Sequence, residues 1–214
     1  TAAMMAKILE CAGYKVGLST SPHLVEVNER IRINGEPIID TCIEEFVQLY
    51  KPSIEDITAS FFESVTAMAF WYFKKNNVDI AIMETGLGGR LDSVTICNPI
   101  LTIITPISLD HTEILGNSIE KISFEKAGIM KPGIPCITAE QTENAYSVLQ
   151  QKAANQNCEL ILADKNLLHD IHPSLLGKYQ FENACLAATS MQFLTGFNIS
   201  NENIKQGVEQ TTWY

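Results

Sequence analysis

The sequence predicts an α/β fold, a mostly parallel sheet with helices on both faces. Three observations carry this reading. The apolar runs "VDIAIM", "ILTIIT" and "CELILA" lack the polar alternation of strands that face water on one side. Stretches with helical periodicity separate them. A glycine string, "TGLGGR", follows one of the apolar runs after Glu84.

Each element follows from local chemistry. Residues 1–12 have helical periodicity and stop at Gly13, a plausible C-cap. Residues 15–19 form a short β-prone run. The connection over residues 20–37 holds "RIRINGEPI", in which Asn34-Gly35 is a strong hairpin signal. Asp40 can cap a helix running to about Tyr50, and Ser60 opens another that runs to Lys75. A buried strand precedes the glycine loop, and residues 100–105 give a second. Ser118 caps a helix that reaches Gly128. "IPCITA" and "CELILA" are two further strands, with a helix over 143–155 between them. Helices over 178–194 and 201–210 complete the pattern.

Composition narrows the function. The 214 residues are 46% hydrophobic and 19% charged, which is globular usage. Fifteen basic against twenty-five acidic residues give a net charge of -10. Such a surface repels phosphate backbones and anionic lipid, so neither nucleic acid nor membrane is an expected partner. The cysteines at 11, 42, 97, 136, 158 and 185 form no CxxC and no zinc-spaced cluster. Their spread suits a reduced, cytoplasmic setting. No apolar run is long enough to span a bilayer, and no signal-peptide pattern is present.

In open parallel sheets, ligands bind beyond the carboxyl ends of the strands. Three such loops are polar. One carries Ser21 and His23, the next Glu84 and "TGLGGRLD", the third Asp110, His111 and Glu113. A hydroxyl, a carboxylate and an imidazole with open positions suit a divalent ion that also touches phosphate, although ordinary loop polarity gives the same residue types. "GLGGR" is either an anion-approaching loop, with Arg90 adding charge, or a turn that needs positive φ. It is not GxGxxG, and no GxxxxGK[ST] occurs. Phe61 and Phe62 read as core residues by pattern, with ring stacking as the alternative. Lys126 reads as a solvated helix-end lysine, and Asn183 as an amide on a helix face.

Four ordered strings are more specific than any of these signals. "GYKVGLSTSPHLVEVNERIRINGEPI", "METGLGGRLDSV", "ISLDHTEILGNSIEKISFEKAGIMKPG" and "YQFENACLAA" together closely resemble the folylpolyglutamate synthase/dihydrofolate synthase family of the Mur ligase superfamily. The resemblance covers nearly the whole chain. It implies a P-loop NTPase-like central domain and a cytoplasmic, monomeric ligase using ATP and two Mg2+ ions. Its substrates would be L-glutamate and a folate or dihydropteroate carboxylate, joined through an acyl phosphate.

The resemblance also implies roles for individual positions. Ser21, Glu84 and His111 would be magnesium ligands. Lys126 would be carbamylated, presenting an anion to the metal, and with His111 it is the catalytic candidate. Ser60, Phe61, Phe62, Glu63 and Leu91 would contact the pterin, and Asn183 the nucleotide. Residues 1–214 would be the central ATP-binding domain, with the family's phosphate loop falling just before Thr1 and its C-terminal ligase domain after "TTWY". Two readings compete: a Mur ligase acting on a UDP-muramyl substrate, and an inactive remnant of a folate ligase.

Overall fold

The computed structural model describes residues 1–168 and 170–213. Helix α1 (Ala2–Cys11) leads into strand β1 (Val16–Ser19). The hairpin β2 (Ile31–Ile33) and β3 (Glu36–Pro37) turns at Asn34-Gly35, where φ is 48° and 82°. Positive φ at both turn positions is what an Asn-Gly hairpin uses. Helices α2 (Asp40–Asp56) and α3 (Phe61–Lys75) precede β4 (Ile80–Met83) and β5 (Thr102–Ile104). The short α4 (Thr112–Leu115), then α5 (Ile119–Lys126), lead to β6 (Cys136–Thr138). The chain continues through α6 (Glu143–Asn155), β7 (Leu160–Leu162), α7 (Gln180–Gln192) and α8 (Asn201–Gln210).

The fold is α/β with parallel pairing at its centre, as the apolar runs predict. The strands form two hydrogen-bonded sheets, in the orders β3-β2-β1-β4 and β5-β6-β7. β1 is parallel to β4 in a register that pairs Val16 with Ile80, and β6 is parallel to both β5 and β7. The hairpin adds antiparallel pairing at one edge. β6 explains the lack of polar alternation. Its three residues are all buried: Cys136 packs among α5 and α6 side chains, and the next residue, Ile137, faces Leu186 of α7. Successive side chains point to opposite faces, so a strand covered on both sides is apolar throughout.

Helix α7 joins the two sheets. Leu186 packs on β6, while Ala184, Ala187 and Ala188 pack with Ile8 and Leu9 of α1 and with Ile204 and Val208 of α8. On the other face, α3 buries Val65, Met68, Ala69 and Phe73 against Ile31 and Ile38 of the hairpin region. Two elements depart from expectation. α2 continues past Tyr50 through Pro52 to Asp56, because the turn beyond the proline closes through the Ile57 N–H to the Ser53 carbonyl. The "DHTEIL" segment, read as a loop, forms α4. Among the described residues, no helix is long and apolar enough to cross a membrane.

Candidate active site

A cleft of about 690 Å³ opens beyond the carboxyl ends of the parallel strands β1 and β4. Ser21, Arg30, Ser60, Phe62, Leu91 and His111 are among its walls, together with Glu63 and Asp92. Most of the residues singled out from sequence therefore meet in one place. The strand ends bring two of them together first. The Glu84 N–H donates to the Ser19 carbonyl, and the Ser21 N–H donates to the Glu84 carboxylate at 3.1 Å. Burial pushes the Glu84 carboxyl above its ordinary value, and the Ser21 N–H opposes that shift by stabilising the anion.

The floor of the cleft is a backbone interlock. The Arg90 N–H donates to the Glu125 carbonyl at 2.9 Å. A Cβ on Gly128 would lie 2.3 Å from Arg90 Cα, and one on Gly89 would lie 2.8 Å from the Lys126 carbonyl oxygen. The two glycines thus face each other across the contact, one from "GLGGR" and one from "EKAG". Close backbone approach, not a positive φ, is what these two positions require. The Arg90 guanidinium reaches both Glu125 carboxylate oxygens, at 3.0 to 3.2 Å. Asp92, only 7% exposed, closes the loop from beneath. Its carboxylate accepts from the N–H groups of Gly86 (2.8 Å), Leu87 (2.9 Å) and Val94 (3.0 Å). Sequence reasoning passed over Asp92. An acidic residue ending a glycine-rich loop, immediately before a helical turn that it caps, is the signal that could have found it.

The rim is built differently. Ser60 caps α3: its hydroxyl accepts from the Glu63 N–H, and the Glu63 carboxylate accepts from the Ser60 N–H at 2.7 Å. This reciprocal pair gives both residues a structural job at the cleft edge. The Phe62 ring rests on Gly86, where an added Cβ would sit 2.6 Å from it. Phe61 is not a core residue, contrary to its pattern; it is 59% exposed, and Leu91 is 80% exposed. The loop before them is fixed by Glu29, whose carboxylate accepts N–H bonds from Leu24, Val25 and Glu26. Those backbone donors, chiefly that of Glu26, hold the Glu29 carboxyl below its ordinary value.

His111 lines the cleft, whereas Lys126 and Asn183 are not among its walls. His111 has a left-handed backbone (φ 48°), immediately before α4, and its Nε2 is 3.6 Å from an Asp110 carboxylate oxygen. Lys126 ends α5 half-buried, with its carbonyl against Gly89; among the described residues its ammonium makes no hydrogen bond or ion pair. Asn183 stands apart in the first turn of α7, where its side-chain oxygen accepts from the Thr1 hydroxyl at 2.7 Å. Among the described residues, no three His, Cys, Asp or Glu side chains cluster as a closed metal site. The Ser21 hydroxyl and the Glu84 carboxylate are hard oxygen donors on one strand edge. That set fits magnesium, which retains waters and phosphate oxygens rather than needing an all-protein cage.

This Mur ligase-like α/β architecture recurs in solved structures. An FPGS–AMPPCP–folate complex superposes with a TM-score of 0.93 at 31% identity, over 99% of this chain and 60% of that one. E. coli FolC in complex with DHPP and ADP gives 0.89 at 30% identity, over 99% of this chain and 54% of that one. The dihydrofolate synthase/folylpolyglutamate synthase of Bacillus subtilis is 38% identical over 245 aligned positions, which take in all of this chain and 57% of that protein. The chain belongs to the folylpolyglutamate synthase/dihydrofolate synthase family. It spans just over half the length of these three relatives. No protein-family model matches it.

Proposed function

We propose that the protein carrying this chain is an ATP-dependent ligase that joins L-glutamate to the carboxylate of dihydropteroate or a folate. The observation that carries this reading is the cleft itself. A polar edge, where the Ser21 N–H binds Glu84, shares the cleft with Phe62 and exposed Leu91, and exposed Phe61 lies against the cleft-wall Arg30. Phosphate chemistry needs the first feature and a flat aromatic acid needs the second. The relatives support it: solved neighbours hold AMPPCP with folate, or DHPP with ADP.

In the proposed reaction, a substrate carboxylate oxygen attacks the γ-phosphorus of ATP. The bond to the ADP oxygen breaks, leaving an acyl phosphate. The glutamate amine then attacks the acyl carbon, phosphate leaves, and an amide remains. Magnesium, when bound, would offset charge between the phosphates and the attacking carboxylate. Ser21, Glu84 and His111 are the residues proposed to hold it. Lys126 would join them as a carbamate, since a bare ammonium would repel the ion. Phe61, Phe62 and Leu91 would hold the pterin, with Ser60 and Glu63 fixing the start of α3 that carries the two rings, and Asn183 would hold the nucleotide. Rim and floor together would keep water from the acyl phosphate. Residues 1–214 act, in this proposal, as the ATP-binding part of the ligase.

The test is ADP release by the full-length protein. It should require both L-glutamate and a pteroyl acid, and Glu84→Gln should lower kcat by about tenfold or more. The same variant should leave the ligand-free protein no less stable, because burial already disfavours the ionised carboxyl. ADP release that requires a UDP-muramyl substrate instead would overturn the folate reading. No ADP release with either acid would leave the remnant reading standing.

A further inference from the structure

The cleft holds two arginines in opposite states. Arg90 is neutralised by the two-pronged contact with Glu125. Arg30 has no carboxylate within ion-pair distance among the described residues. It is nevertheless held in place. Its Nε donates to His23 Nδ1 at 2.8 Å, and its guanidinium lies 5.3 Å over the centre of the Phe61 ring. Both contacts leave the two terminal amines free, and Arg30 is half-buried in the cleft wall.

The nearby acids are already engaged. Glu63 is tied to Ser60, Asp92 to three backbone N–H groups, and Glu125 to Arg90. A planar fork with two open donors, fixed by an aromatic face and an imidazole, is pre-organised to take a carboxylate in two-pronged fashion. The fork also lines the same cleft as Ser21, one of the residues proposed to hold magnesium beside the phosphates.

Resting on the ligase reading above, we infer that Arg30 binds the second, non-reacting carboxylate of the acid substrate. A pteroyl-glutamate ends in two carboxylates: one reacts, and the other must be oriented so that it does not. A pteroate ends in a single carboxylate and offers nothing further to the fork. Arg30 is therefore a specificity determinant that favours the glutamylated acid over the unglutamylated one.

The experiment compares binding of folate and of pteroate to the full-length protein by titration calorimetry. It uses the wild type, Arg30→Gln and Arg30→Lys, each with folding checked by thermal melt. Arg30→Gln should weaken folate by about tenfold to a hundredfold while changing pteroate by less than about threefold. Arg30→Lys should fall between, since a point charge replaces a fork. Phe61→Leu, which removes the aromatic support, should weaken both acids.

Equal weakening of folate and pteroate by Arg30→Gln would overturn the inference and make Arg30 part of the ring site. Unchanged folate affinity with a raised KM for L-glutamate would also overturn it, moving the fork to the amine substrate. A wild type that binds neither acid would sink the ligase reading itself, which is a separable failure.

Discussion

The floor and the rim of one cleft are made on opposite principles. On the floor, the two charged side chains of "GLGGRLD" and the N–H groups of Gly86, Leu87 and Arg90 all have partners within the chain. Asp92 takes three N–H groups, Arg90 takes Glu125, and two glycines remove the side chains that would part the backbones. At the rim, Phe61 and Leu91 stand exposed and Arg30 keeps its amines open. A segment whose bonds close on itself holds shape; a segment that leaves apolar area and donors facing a cleft is built for something that arrives. The contrast separates residues that hold the protein up from residues that hold a ligand, although both kinds line the same space.

Substitutions test that separation, and the largest effect belongs to the floor. Gly128→Ala puts a methyl group into the Arg90 backbone, where nothing can rotate away. It should cost about 3 kcal/mol or more in chemical denaturation. A melt within a degree of wild type would mean the two motifs are not locked together. Asp92→Ala comes next. It leaves buried N–H groups unmet and should cost about 2 kcal/mol, read in the same assay.

The boundary between the regions runs through Ser60. Ser60→Ala removes the cap of α3 and should cost about 1 kcal/mol. Its effect on acid binding should be small once the stability loss is allowed for. A large affinity loss with unchanged stability would make Ser60 a ligand contact and not a cap. The smallest stability effect is at the rim. Phe61→Ala should shift unfolding by less than about 0.5 kcal/mol, yet weaken pteroate binding by about tenfold. The reverse result, a destabilised protein that binds normally, would return Phe61 to the core.

The sequence made some of this legible and hid the rest for physical reasons. Apolar runs such as "ILTIIT" announce a doubly covered strand because burial on two faces abolishes alternation, and β5 lies where that run predicts. The Asn34-Gly35 hairpin was equally readable, since its turn requires positive φ at two positions. The continuation of α2 through Pro52 was not, because a proline signals a break and the turn beyond it supplies the closing bond. Ser21, Glu84 and His111 could be nominated from loops after strands. What one-dimensional spacing could not show is contact between segments far apart in the chain. Gly89 against Lys126, Asp92 beneath its own loop, and Arg30 over Phe61 each depend on how the loops fold back. Phe61 was misread by pattern because periodicity marks the apolar face of a helix, and the first turn of α3 extends beyond the core that buries the rest of that face.

Hydrogen–deuterium exchange of the full-length protein, with and without pteroate and AMPPCP, tests the division of labour most directly. Peptides covering residues 86–94 should exchange slowly in the free protein and hardly change, because the N–H groups of Gly86, Leu87, Arg90 and Val94 are already bonded to Asp92 and Glu125. In peptides covering 61–64, the N–H groups of Phe61 and Phe62, which have no partner among the described residues, should exchange quickly and slow when the ligands are added. Fast exchange over 86–94 that becomes slow only on ligand addition, with 61–64 unchanged, would contradict that division.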